Sequence, residues 1–128
     1  MKKHIANFHY ISDAIEGRSH AELSELACKG GARWVQLRVK NKGELEWKNI
    51  ALEVQKVCCK YKAAFIINDN VAIAAALDAD GVHLGKEDLS VSESREILGP
   101  NKIIGGTANT IEEIIVLAKQ QVDYIGLG

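Results

Sequence analysis

Gln36, Arg38 and Lys40 alternate with Val35, Leu37 and Val39 in the run WVQLRVK. On an extended strand the two sets project from opposite faces, so the alternation predicts one apolar face and one face bearing an amide and two cations. Such a face suits an anion, since the three side chains offer roughly ten N–H donors, several of them charge-assisted. A solvated amphipathic strand produces the same alternation, so the remaining residues must decide. Asn68 and Asp69 follow directly on AAFII, where a strand gives way to a helix. There Asp69 is either the helix N-cap, a place Asn70 can also fill, or a metal ligand. Asp88, in HLGKED, is by itself an ordinary surface acid. Beside an Arg/Lys strand, two such carboxylates form a set that holds Mg²⁺ on a diphosphate, with hard oxygens for the metal and fixed cations for the remaining charge.

Gly105-Gly106-Thr107 adds small residues that let backbone amides approach a phosphate and a hydroxyl that can donate to it, although a glycine pair is commonly just a turn. His83 points away from Val82 and Leu84 in its strand, which suits a packed or hydrogen-bonded histidine. His4, His9 and His20 have no partner spacing. Cys28, Cys58 and Cys59 are odd in number and lack metal-type spacing, so they read as buried or half-buried helix thiols.

Six short β-rich runs, at 8–11, 34–39, 64–67, 81–84, 102–105 and 123–127, alternate with helical segments, the pattern of parallel βα units. Ser19 with Glu22, Asn41 with Glu44, Ser90 with Glu93 and Thr110 with Glu113 have the spacing of capping boxes at helix starts. Gly30-Gly31 and Gly99-Pro100 read as helix stops. Leu45, Ile50, Ala51, Val54, Val57, Cys58 and Tyr61 form one stripe, and the helix after Asp69 is nearly all apolar and therefore buried. Arg38 and Lys40, Asn68 and Asp69, Asp88, and Thr107 then fall after strands two, three, four and five. In a closed barrel those ends form one rim around one site, whereas an open dinucleotide-binding sheet would call for a G-x-G-x-x-G turn that the opening strand lacks.

The 128 residues are 47% hydrophobic and 26% charged, the composition of one ordinary domain. A net charge of −1 excludes the global basic field of a nucleic-acid or anionic-membrane binder. The longest apolar run, 71–77, is far short of a membrane span, and no apolar signal core opens the chain, so a cytoplasmic location is expected.

The series QLRVK, IND, DADGVHLGKED, IIGGTANT and VDYIGLG, in this order and at these intervals, resembles thiamine-phosphate synthase over essentially the whole chain. The resemblance implies an α/β fold of the TIM (β/α)₈-barrel family, present as a single partial domain over 1–128: about five βα units plus strand six. It implies a transferase that joins hydroxymethylpyrimidine diphosphate to thiazole phosphate, releasing pyrophosphate and forming thiamine phosphate with Mg²⁺. Gln36, Arg38, Lys40 and Asn68 would hold the pyrimidine diphosphate, with Arg38 and Lys40 catalytic. Asp69 and Asp88 would hold Mg²⁺, and Thr107, where the family often has Ser, would contact pyrophosphate. The family completes its site with a segment after strand six and loops after strands seven and eight. An inactive or binding-only remnant is therefore one alternative, with self-association through open sheet edges. A thiazole tautomerase-like enzyme is another, although it calls for a His where this chain has Asn109.

Overall fold

The computed structural model describes residues 3–128, which divide into two compact units, 6–68 and 69–128 together with 3–5. In the first unit β1 (Tyr10–Ile11), β2 (Trp34–Leu37) and β3 (Ala64–Asn68) form a parallel sheet in chain order, joined by α1 (His20–Lys29) and α2 (Glu44–Tyr61). In the second, β4 (Gly81–Leu84), β5 (Ile103–Ala108) and β6 (Tyr124–Leu127) are likewise parallel and in order, with α3 (Val71–Ala76), α4 (Val91–Leu98) and α5 (Ile111–Lys119).

The helix starts follow the sequence at three of the four capping boxes. Ser19, Ser90 and Thr110 each accept the N–H three residues on, from Glu22, Glu93 and Glu113, satisfying a donor that would otherwise be orphaned. The fourth is corrected: α2 is capped by Gly43 with no side-chain bond, because Asn41 sits in a left-handed turn at φ 58°. The stripe of α2 is also shifted. Trp47, Ala51, Val54, Val57 and Cys58 are buried, while Leu45 is 75% exposed in the first turn. Cys28 and Cys58 are buried as expected, but Cys59, next round the helix, faces outward.

β2 corrects the amphipathic expectation. Val35 and Leu37 are wholly buried, and Gln36 between them is 3% exposed. A parallel strand with packing on both sides has no solvated face. The strand also ends at Leu37, so Arg38 and Lys40 lie in the turn beyond it. At the other end of β2, Trp34 stacks on His9 with ring centroids 4.0 Å apart and planes 9° apart.

In the second unit Asp123, just before β6, gathers a cluster. Its carboxylate accepts from the Ile104 N–H at 2.8 Å, from Arg95 at 3.1 Å and from Lys3 at 3.0 Å. Burial acts to raise its pKa, but these donors outweigh it and hold the carboxyl below its usual value. The group is depressed in the folded state, so its contribution is fully present above the unfolded carboxylate pKa of about 3.9 and is lost as pH falls through the lower folded value. Asp123→Asn should lower unfolding free energy by about 2 kcal/mol near neutral pH, the scale of one hydrogen bond to a charged group. Urea unfolding at a series of pH values checks this, with the gap between the two proteins expected to close in acid.

Candidate active site

Residues singled out by the sequence fall into a set in each unit. In 6–68, the register Leu37↔Ile67 places Arg38 and Asn68 at the matching ends of neighbouring strands. The half-buried Arg38 guanidinium lies 3.8 Å from Asp13, whose side chain is 70% exposed. A pair so long and so wet is worth little, and an incoming anion displaces it at small cost. Lys40 is exposed and makes no ion pair among the described residues. Gln36 lies inside the strand and is buried.

In 69–128, Asp69 is not the helix cap. Asn70 takes that role, its side chain accepting from the Ile73 N–H at 3.0 Å. Asp69 turns the chain at φ 71°, a left-handed conformation that costs most L residues about 1–2 kcal/mol and that Asp tolerates better than most. Its own N–H donates to the His83 carbonyl at 2.9 Å, fixing the turn against β4. Asp88 folds back so that Oδ2 accepts from the Gly85 N–H at 2.6 Å. A Cβ on Gly85 would stand 3.0 Å from Asp88 Oδ2 and 3.8 Å from Asp69 Oδ1. The two carboxylates thus converge on a space left by a missing side chain. Lys86 nearby is engaged elsewhere, on Glu113 at 2.7 Å.

Thr107 lies inside β5 rather than after it. The Gly105-Gly106 pair is likewise in the strand, where it makes room for packing: a Cβ on Gly105 would run into the Tyr124 ring, and one on Gly106 would meet Leu117 at 2.8 Å. These glycines therefore serve close packing and form no turn. The space at Gly105 admits a chain of polar contacts. Tyr124 Oη is 2.9 Å from His83 Nδ1, and His83 Nε2 is 2.8 Å from Thr107 Oγ1. His83 is thus hydrogen-bonded on both nitrogens, and burial pushes the Tyr124 phenol well above its usual pKa, so it stays neutral. Sequence reasoning missed Tyr124 altogether. The signal available was an aromatic two residues before the final Gly-Leu-Gly, opposite a glycine in a parallel register.

Residues 8–128 match the family model for thiamine monophosphate synthase. The chain belongs to the thiamine monophosphate synthase family. It is 48% identical over 114 residues to the thiamine-phosphate synthase of Clostridium novyi, covering 89% of this chain and 56% of that protein. It is 50% identical over 119 residues to that of Flavobacterium johnsoniae, covering 93% and 56%. The solved thiamine phosphate pyrophosphorylase from Pyrococcus furiosus is 36% identical, with a TM-score of 0.84, over 94% of this chain and 58% of that one. The fold is accordingly α/β, with six of the strands of a (β/α)₈ barrel, as the resemblance implied. The chain spans about half the length of the curated relatives it matches.

Removing the Tyr124 hydroxyl leaves the half-buried His83 Nδ1 without that partner, which costs about 1–3 kcal/mol. Tyr124→Phe should therefore destabilise the protein by that amount in urea unfolding and alter the ¹⁵N shifts of the His83 ring. Unchanged ring shifts would show that the contact is not a hydrogen bond.

Proposed function

We propose that these residues act in a transferase of the thiamine-phosphate synthase type, which joins hydroxymethylpyrimidine diphosphate to thiazole phosphate and releases pyrophosphate, with 1–128 serving as a single domain. The observation that supports it most is the convergence of the Asp69 and Asp88 carboxylates on the space at Gly85.

In this reading Arg38 and Lys40 bring positive charge to the diphosphate, and Gln36, Asn68 and Thr107 add neutral hydrogen bonds. Reaction breaks the bond between the pyrimidine methylene carbon and the diphosphate oxygen, and the electron pair leaves with the diphosphate. The thiazole nitrogen then supplies the pair for the new C–N bond. Negative charge grows on the leaving group, so donors fixed before the reaction at its oxygens lower the barrier. Forming the C–N bond needs no general base, which suits a site where His83 is held by hydrogen bonds on both nitrogens.

The donor set fits Mg²⁺. Among the described residues no group of three His, Cys, Asp or Glu forms a metal cage, and Mg²⁺ is characteristically held by one or two carboxylates together with substrate phosphates. Asp69 and Asp88 would hold it, and when bound it neutralises diphosphate charge. No helix is long and apolar enough to cross a membrane among the described residues, in keeping with the cytoplasmic location proposed with this function. Self-association of this polypeptide is also part of the proposal.

Calorimetric titration with inorganic pyrophosphate, with and without Mg²⁺, tests the assignment. Arg38→Ala should weaken binding by about 1.5–3 kcal/mol, the worth of hydrogen bonds to a charged group. Asp69→Asn should abolish most of the gain that Mg²⁺ gives the unsubstituted chain. Equal metal gains in the two proteins, or unchanged affinity in Arg38→Ala, would overturn the proposal.

A further inference from the structure

We infer that Ser12 and His20 are positioning residues for the anion-binding turn at Arg38, acting through the one buried hydroxyl of Ser12. This inference rests on the diphosphate reading of Arg38 given above.

The β1–β2 ladder pairs Tyr10 with Val35 and Ile11 with Gln36, and the Ser12 N–H continues it by donating to the Gln36 carbonyl at 2.9 Å. In a regular parallel ladder the same residue would next accept, through its own carbonyl, the N–H two positions further along the partner strand. That N–H belongs to Arg38, and it goes instead to the side-chain oxygen of Ser12 at 3.2 Å. A side chain thus replaces the backbone acceptor at the point where β2 ends, which lets the chain leave the sheet at Arg38 without orphaning its amide.

Ser12 is wholly buried, so its own proton also needs a partner. His20 Nδ1, 2.9 Å from Oγ, is the partner available. Arg38 N–H already occupies one lone pair of the hydroxyl, and the hydroxyl proton points to Nδ1, which fixes His20 as the neutral tautomer protonated at Nε2. Burial keeps the imidazole pKa below its ordinary value, Asp13 opposing this and Lys42 adding to it, in keeping with a neutral ring. His20 is the first residue of α1, whose N-cap is Ser19. One hydroxyl therefore ties the start of α1, the end of β1 and the end of β2, and sets the direction in which Arg38 leaves the sheet. Asp13, next to Ser12, holds the guanidinium loosely from the same turn.

The test uses the 128-residue chain and three measurements: ¹⁵N shifts of the His20 ring, amide exchange at Arg38 with Leu37 as internal reference, and affinity for pyrophosphate with Mg²⁺. The unsubstituted chain should show the Nε2–H tautomer. Ser12→Ala should release that tautomer, speed exchange at Arg38 about tenfold relative to Leu37, and weaken pyrophosphate about tenfold. Ser12→Thr, which keeps the hydroxyl, should restore all three. His20→Leu should repeat the loss and His20→Asn, whose amide oxygen can stand where Nδ1 stands, should recover it. Ser12→Ala with unchanged Arg38 exchange and unchanged affinity overturns the inference, as does a fall in stability with no change in affinity. Where Ser12→Ala fails to fold, the same outcomes in His20→Leu decide. Failure of the diphosphate reading is separately visible: Arg38→Ala would then bind pyrophosphate as tightly as the unsubstituted chain.

Discussion

Burial of β2 on both faces governs what the first unit can present to a ligand. Val35, Gln36 and Leu37 are all enclosed, so charged side chains are admitted only after Leu37, where the strand has ended. Desolvating an unpaired Arg or Lys inside such a strand would cost several kcal/mol, far more than the turn at its end. The same constraint acts at β3, where Asp69 follows the last strand residue, and at β4, where Asp88 folds back onto Gly85. Chemistry-bearing groups gather past the C-terminal ends of parallel strands because those are the positions where the core permits charge.

Each of those ends is held by a substitution of one hydrogen-bonding group for another. At β2 the Ser12 hydroxyl takes the N–H that a carbonyl would have taken. At β3 the side chain of Asn70, and not that of Asp69, assumes the cap. At β4 the Asp88 carboxylate binds the backbone N–H of Gly85. At β5 the hydroxyl of Thr107 is held by His83, itself held by Tyr124, which lies over the bare backbone of Gly105. These bonds fix directions that the loops alone would leave open.

The order of strands and helices was legible because capping boxes, glycine stops and apolar runs are local signals, and Ser19, Ser90 and Thr110 behave as their neighbours dictate. Asn41 did not, because its left-handed turn depends on where the chain must go after β2, which no four-residue pattern encodes. The alternation in WVQLRVK predicts two faces, but burial on both sides of a parallel strand is a tertiary fact invisible in a period of two. Arg38, Lys40, Asn68, Asp69, Asp88 and Thr107 could be named from residue type and spacing. Ser12, His20 and Tyr124 could not, since their importance lies in contacts across 8 to 41 residues of chain.

The measurement that bears most directly on the central claim is a residue-resolved amide NMR titration with pyrophosphate in the presence of Mg²⁺. The account predicts that the largest shifts fall at Arg38 to Lys40, at Asn68 and Asp69, at Gly85 to Asp88 and at Thr107, and that the outer faces of α2 and α5 stay silent. Shifts confined to helix surfaces, or scattered without regard to strand ends, would contradict it.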